Sequence, residues 1–202
     1  MRKLERNFYE RPTLVVAKEL LGKYVVHEMQ EGRTIGKIVE TEAYVGVADA
    51  ACHAYNGRCT GRTRVMFGKG GYAYVYFIYG MYYCMNIVTN REEFPEAVLI
   101  RALEPVEGLE LMKKRRSTEV LRNLCSGPGK LCQAMGITRE HNGMDLCGER
   151  IYLLSGEDIA PEAVDTTPRI NIDYAEEAKE YPWRFIIKDS PFLSKGKANV
   201  KK

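Results

Sequence analysis

The stretch GGYAYVYFIYGMYYCMN, residues 70–86, decides the architecture. It holds six of the chain's thirteen tyrosines. Tyr72, Tyr74 and Tyr76 recur at a spacing of two, which puts them on one face of a strand, with Ala73, Val75 and Phe77 on the other. After Ile78 comes Tyr79-Gly80, then a second strand-like run over residues 81–86. Two such runs around a two-residue loop predict a β-hairpin. Its tip is unusual, because hairpin loops favour Asn-Gly or Asp-Gly. A type II turn accommodates the tyrosine, with Gly80 supplying the positive φ. Two readings of Tyr79 follow: the hairpin folds back and buries the ring, or the tip presents it as a wedge that enters a partner.

Upstream, residues 49–69 read as loop, carrying Arg58, Arg62, Arg64 and Lys69 and no acid after Asp49. Residues 23–29 and 35–44 read as strands joined by a turn at 30–32. Residues 13–21 have apolar positions at helical spacing, with Thr13 as the expected cap and Gly22 as the stop. Downstream, residues 97–103 form a short apolar strand that contains Arg101, broken by Glu104-Pro105. A helix is expected over 106–116, and its Lys113-Lys114-Arg115-Arg116 end reads first as a solvated terminus that suits the dipole. Ser126-Gly-Pro-Gly-Lys130 precedes a short helix at 131–135, where backbone amides suit an anion or simply cap the turn. Late strands are expected at 151–154 and 183–188, with 157–182 polar and irregular, and 194–202 a frayed basic tail. Strands outnumber helices, and the connections are too short for a βαβ series. The expected fold is one mixed α/β domain over 1–202, with its core at about 8–192. It has a curved, largely antiparallel β-sheet, surrounding helices and a protruding β-hairpin.

The chain has 202 residues, 45% hydrophobic and 28% charged, with formal net charge +3. That is ordinary globular composition, mildly basic, so the distribution of charge matters more than its total. No secretory core or membrane-length apolar run is visible, which predicts a soluble intracellular protein. The six cysteines include no CxxC pair. Cys52, His53 and Cys59 offer a weak metal reading; reduced, packed thiols are the simpler one.

Glu40 and Glu42 share one strand face, with Thr41 opposite, at a spacing of roughly 6–7 Å. Like charges that close disfavour double ionisation. One of them could serve as a general base toward water, both could serve as a two-carboxylate glycosidase pair, or both could be exposed acids on an edge strand. The apolar lead-in Ile38-Val39 and Tyr44 on the same face weigh against the last. Tyr44, His53 and the Tyr74/Tyr76 face offer flat surfaces for stacking a heterocycle. The basic loop beside an aromatic hairpin fits phosphate contacts next to base contacts. A carbohydrate hydrolase and a non-catalytic nucleic-acid module remain rivals.

Taken together, Ile38-Val39-Glu40-Thr41-Glu42-Ala43-Tyr44, His53, the run 74–86, Arg101-Ala102-Leu103-Glu104-Pro105 and Ser126-Gly-Pro-Gly-Lys-Leu131 resemble the alkyladenine (3-methyladenine) DNA glycosylases of the mammalian type. The resemblance runs from about residue 8 to 192. It implies that Glu42 is the general base toward water, with Arg101 holding that water and the nearby charge. It implies that Tyr44, His53 and Tyr76 stack an extruded base and that Asn86 crowds out the 2-amino group of guanine. Tyr79, with Met81 beside it, would enter the minor groove. Arg58, Thr60, Arg62, Arg64 and Lys130 would lie along the DNA backbone. The implied partner is double-stranded DNA containing a damaged purine, bound by a monomer with no membrane association and no metal or organic cofactor. The implied location is a prokaryotic cytoplasm, or the nucleus of a eukaryote. No lysine matches a Schiff-base nucleophile, so no lyase step is expected. The chain departs from the pattern at Arg62-Thr63-Arg64-Val65, and in the short segment 117–124. It also has Gly70 where some members have proline, which predicts a looser hairpin base.

Overall fold

The computed structural model describes residues 1–195. In chain order the elements are α1 (Arg6–Tyr9), α2 (Thr13–Glu19), β1 (Tyr24–Met29), β2 (Gly32–Tyr44), β3 (Ala73–Ile78), β4 (Tyr82–Thr89) and β5 (Glu96–Glu107). There follow α3 (Leu109–Arg116), α4 (Pro128–Met135), β6 (Ile151–Leu154), β7 (Val164–Thr167) and β8 (Arg184–Ile187). The strands form one eight-stranded sheet in the order β3-β4-β5-β2-β1-β6, with β8 joined to β2 and β7 to β8. It curls into a half-barrel within a single mixed α/β domain. Every pairing between these strands is antiparallel. No helix among the described residues is long and apolar enough to cross a membrane.

β2 is the centre of the sheet. Along one edge it pairs with β5; along the other it pairs first with β1 and then, over residues 40–42, with β8. The pairing with β5 slips around Glu40, between Ile38 and Thr41. Such a bulge changes which face alternate residues occupy. Ile38 and Ala43 both join the main core, and Thr41 donates its hydroxyl to the Ala17 carbonyl of α2 at 2.8 Å. Glu40 and Glu42 are thereby turned away from α2 and fully buried on the other side of β2. The edge-strand reading of these acids is therefore wrong.

The hairpin divides two cores. Ala73, Val75, Met85 and Ile87 face the main core; Tyr74, with Tyr72 and Tyr76, faces a smaller cluster of Cys52, Ala54, Met66, Val88 and Ala97. Its base is fastened, not loose. Arg6 donates to the Gly70 carbonyl at 2.7 Å, and a Cβ on Gly70 would lie 2.9 Å from the Asn90 carbonyl oxygen. The tip projects into solvent: Tyr79 is 72% exposed and Met81 66%. The burial reading of Tyr79 fails. The turn also differs from type II, because Tyr79 (φ 54°) and Gly80 (φ 66°) both take positive φ. That is the twist-matched hairpin geometry, here imposed on a bulky residue.

Other boundaries moved for identifiable reasons. Pro12, not Thr13, occupies the cap of α2; the Thr13 hydroxyl is instead engaged with Thr89 and Glu96. β5 runs through Pro105, because β4 pairs only with residues 96–99 and no ladder partner waits for the missing N–H. Helix α3 accordingly starts at Leu109. Its basic end is not free in solvent: Arg115 donates to the Ala134 carbonyl and Arg116 to Gln133 Oε1, tying α3 to α4. The irregular stretch 157–182 hides β7. The basic tail expected over 194–202 starts on a buried residue, Ser194; residues 196–202 lie outside the described residues.

Candidate active site

A cavity of about 430 Å³ opens beside the hairpin and is lined by Tyr44, His53, Tyr76, Asn86 and Arg101, with Tyr79 and Lys130 at its margins. That volume lies in the range of small-ligand sites. Strands β2, β3, β4 and β5 each contribute one or more of these side chains, which is why a rigid wall forms from residues far apart in sequence.

Glu42 is fully buried and lies one side-chain layer behind the wall formed by Tyr44, Arg101 and Ile170. Its Oε2 accepts from the Tyr44 hydroxyl at 2.9 Å and from Arg101 Nη1 at 3.2 Å; its Oε1 accepts from the Ile170 backbone N–H at 2.7 Å. Burial, and then the Glu42 charge, push the Tyr44 hydroxyl well above its ordinary pKa. It therefore stays protonated and donates. Burial opposes the charge on Arg101, but Glu42 and Glu40 outweigh this and hold its pKa above the usual guanidinium value. A carboxylate held by three donors away from bulk solvent is a fixed, preorganised negative charge.

Glu40 is spent differently. Its Oε1 accepts from Arg101 Nε (3.0 Å), Arg184 Nε (2.7 Å) and Ser194 Oγ (2.8 Å), and its Oε2 from the Ser194 N–H at 2.7 Å. Two arginines and a serine leave it saturated. A glycosidase that needs both carboxylates free toward its substrate does not match this geometry.

The aromatic lining is likewise fixed from behind. His53 Nδ1 lies 2.9 Å from the Tyr74 hydroxyl, and its ring meets Tyr76 edge-on at 4.7 Å. Burial, followed by the charges of Arg62 and Arg58, lowers the His53 pKa to about 4, so the ring is neutral at pH 7. Asn86 donates to the Tyr74 carbonyl at 3.1 Å, which sets the orientation of its amide.

Residues expected along the DNA backbone separate into two groups. Arg58 and Arg64 are exposed and make no side-chain hydrogen bond or ion pair among the described residues, and Lys130 reaches only the Ser126 hydroxyl at 3.4 Å. Thr60, by contrast, shares its hydroxyl with Thr63 in a local turn. Arg62 is also exposed, but it is engaged with the pocket: its guanidinium lies 4.9 Å over the Tyr76 ring, donates to the Tyr74 hydroxyl at 3.1 Å and approaches His53 at 2.8 Å. The glycine-rich turn at 127–129 also has a packing reason. A Cβ on Gly129 would stand 2.9 Å from Tyr82, so glycine lets β4 approach the start of α4. Among the described residues no group of three His, Cys, Asp or Glu side chains is placed to hold a metal, and none of the six cysteines is bonded to another.

Sequence reasoning missed four contributors. Arg169 is buried, pairs with Asp49 at 2.5 and 2.8 Å and stacks 4.8 Å from the Tyr44 ring. Ile170 supplies the N–H to Glu42. Both lie in the stretch read as polar and irregular, where no periodicity marks them. Arg184 and Ser194 hold Glu40. Only Arg184 carried a signal, since a charge inside the apolar run 183–188 parallels Arg101 inside 97–103.

Comparison with known proteins identifies the family. The family profile described as Methylpurine-DNA glycosylase matches residues 7–191. A relative from Alkaliphilus oremlandii is 53% identical, over 96% of this chain and 99% of its own length. One from Clostridium acetobutylicum is 54% identical over 95% and 97%, and one from the archaeon Methanocella arvoryzae 52% identical over 95% and 96%. All three carry the name 3-methyladenine DNA glycosylase. With its matched span covering nearly the whole fold and most of the cavity lining, the chain belongs to the methylpurine-DNA glycosylase family and is a DNA glycosylase.

Proposed function

We propose that the protein excises alkylated purines, 3-methyladenine foremost, from duplex DNA by rotating the damaged nucleotide out of the stack and hydrolysing its N-glycosidic bond with a water activated by Glu42. The observation that carries this reading is the buried Glu42 carboxylate, held by Tyr44, Arg101 and the Ile170 N–H directly behind an aromatic cavity. A base inside a duplex cannot reach such a cavity without extrusion, which costs a few kcal/mol and least for damaged pairs. Tyr79 at the exposed tip fills the vacated space, as apolar and aromatic wedges do in the minor groove.

The chemistry balances without a metal or organic cofactor. Water forms a bond to C1′ as the bond from C1′ to the purine nitrogen breaks, and its electron pair leaves with the base. The water proton passes to Glu42. A 3-alkylated adenine is cationic in the nucleotide and leaves neutral, so it needs no general acid. The pocket suits such a cation: tyrosine faces attract it, and a neutral His53 does not repel it. Hypoxanthine and ethenoadenine, being neutral, are slower substrates because their departure needs a proton. Asn86 stands against the 2-amino group of normal guanine. Water is the nucleophile, so the product is an abasic site with no strand cleavage. The enzyme acts as a monomer.

Single-turnover base release from methylated duplex DNA tests the assignment. Glu42→Gln, which keeps the shape and removes the charge, should abolish release while lesion-DNA binding persists. Near-normal release by that variant would remove Glu42 from the mechanism.

A further inference from the structure

We propose that Glu40 and Ser194 are positioning residues that control how much of Arg101 reaches Glu42, and thereby leave Glu42 an open acceptor toward water. The inference rests on the reading of Glu42 as the base. Each nitrogen of the Arg101 guanidinium has a different partner: Nε donates to Glu40 at 3.0 Å, Nη1 to Glu42 at 3.2 Å and Nη2 to Ser194 Oγ at 3.3 Å. Because the group is a rigid plane, three separate anchors leave it no freedom to rotate. Ser194 closes the ring, accepting from Arg101 while its own hydroxyl and N–H donate to the two oxygens of Glu40.

The consequence is chemical. An arginine facing a lone carboxylate binds it through two parallel N–H groups, and such a pair strongly stabilises the ionised form. Here only one of those N–H groups reaches Glu42, because Glu40 and Ser194 hold the other two nitrogens. Glu42 is left with a single charged donor and spare acceptor capacity toward water. The titratable and charged groups facing Glu42 are Tyr44 and Glu40 from β2, Cys84 from β4, Arg101 from β5, Arg184 across the ladder on β8 and Arg169 from the segment before it. Ser194 and Lys195 line the cavity, so the end of the described chain is part of the catalytic wall.

The experiment compares full-length wild type, Glu42→Gln, Glu40→Gln, Ser194→Ala and Ser194→Thr. It measures single-turnover release across pH, lesion-DNA affinity and the thermal midpoint. Ser194→Ala removes one hydroxyl, keeps the N–H to Glu40 and is the variant expected to fold normally. Its release rate should fall about tenfold, the loss of a hydrogen bond to a charged group, with affinity held within about twofold. Ser194→Thr should restore it. Glu40→Gln frees Arg101 toward Glu42, so the pH at which release is half-maximal should move down. Wild-type rates and pH midpoints in both Ser194→Ala and folded Glu40→Gln, or an upward move in the latter, overturn the inference while a dead Glu42→Gln leaves the proposed function standing. Retained activity in Glu42→Gln instead overturns both.

Discussion

Tyr79 provides the sharpest separation between stability and function. The ring is 72% exposed, so its removal uncovers little apolar area, and its backbone sits at φ 54°. A non-glycine residue in the left-handed region costs about 1–2 kcal/mol. Tyr79→Gly removes that strain but returns about 0.4–1 kcal/mol to the unfolded chain as entropy. The net is a gain of roughly 0–1.6 kcal/mol, which for a domain of this size moves the thermal midpoint up by no more than about 6 °C. The functional effect has the opposite sign. Stacking of an aromatic ring on a base is worth about 1–3 kcal/mol, so losing it should weaken lesion-DNA binding or extrusion by roughly 5- to 150-fold. Calorimetry of the free protein, paired with binding to a duplex carrying a stable lesion analogue, measures both. Tyr79→Ala provides the control that keeps the strain and loses the ring. A variant that melts many degrees lower, or that binds lesion DNA as wild type does, would refute the wedge.

Three further outcomes are expected. Arg58, Arg64, Lys130 and Lys195 are the cations available to phosphates on this side; if all four engage, log Kd should change with log salt at a slope near 3.6, and affinity should drop by about two orders of magnitude between 50 and 200 mM salt. A flat response would rule out the basic loop and the rim lysines as a DNA surface. Arg62→Ala should raise KM about fivefold by loosening Tyr76, as the loss of one cation–π contact predicts; because Arg62 also helps hold His53 neutral, the rise in KM for a cationic lesion at low pH should begin at higher pH than in wild type, and an unchanged KM profile would remove Arg62 from the pocket. Away from the site, burial lowers the His27 pKa from 6.5 to about 4 against its hydrogen bond to Met135, with His141 in edge contact at 4.7 Å. The folded state thus resists a proton that the unfolded chain accepts, so stability is full above pH 6.5 and declines as pH falls toward 4. Urea unfolding at pH 7.5 and 5 should differ by about 2 kcal/mol from this residue, and a His27→Leu variant that shows the same pH loss as wild type would refute the assignment.

How far the sequence discloses the fold depends on where each determinant lies. The hairpin is legible because period-two alternation and a Tyr-Gly break are local. Its turn type is not, because the twist of the paired strands selects the dihedrals and overrides the reluctance of tyrosine to take positive φ. The shared face of Glu40 and Glu42 follows from spacing alone. Their burial does not, since it needs the slip beside Ile38 and the docking of β8 on β2. The strand break expected at Pro105 failed for a similar reason: proline interrupts a ladder only where its missing N–H had a partner, and the neighbour of Pro105, Gly36 of β2, lies on its other edge. Least legible of all are the partners of the carboxylates. Arg184 and Ser194 approach Glu40 from 144 and 154 residues away, and Ile170 approaches Glu42 from 128.

Those distant partners are what distinguish two chemically identical residues. Glu40, Glu42, Arg101 and Arg184 form a cluster with two charges of each sign, neutral when taken whole. The charges are not evenly shared. Both arginines touch Glu40 at 3.0 Å or less, while Glu42 has one guanidinium contact, at 3.2 Å, and two neutral donors. The surplus negative charge therefore sits at Glu42, behind the cavity wall, where the proposed mechanism needs it as positive charge develops on the sugar. In a site sheltered from water, such an imbalance counts for more than it would at the surface. Exchanging the partners of the two glutamates would require sliding β8, and with it Arg184, by two residues along β2, because a slip of one would turn Arg184 to the opposite face. The sheet topology, more than either side chain, thus sets which carboxylate is held by two guanidinium groups and which by one.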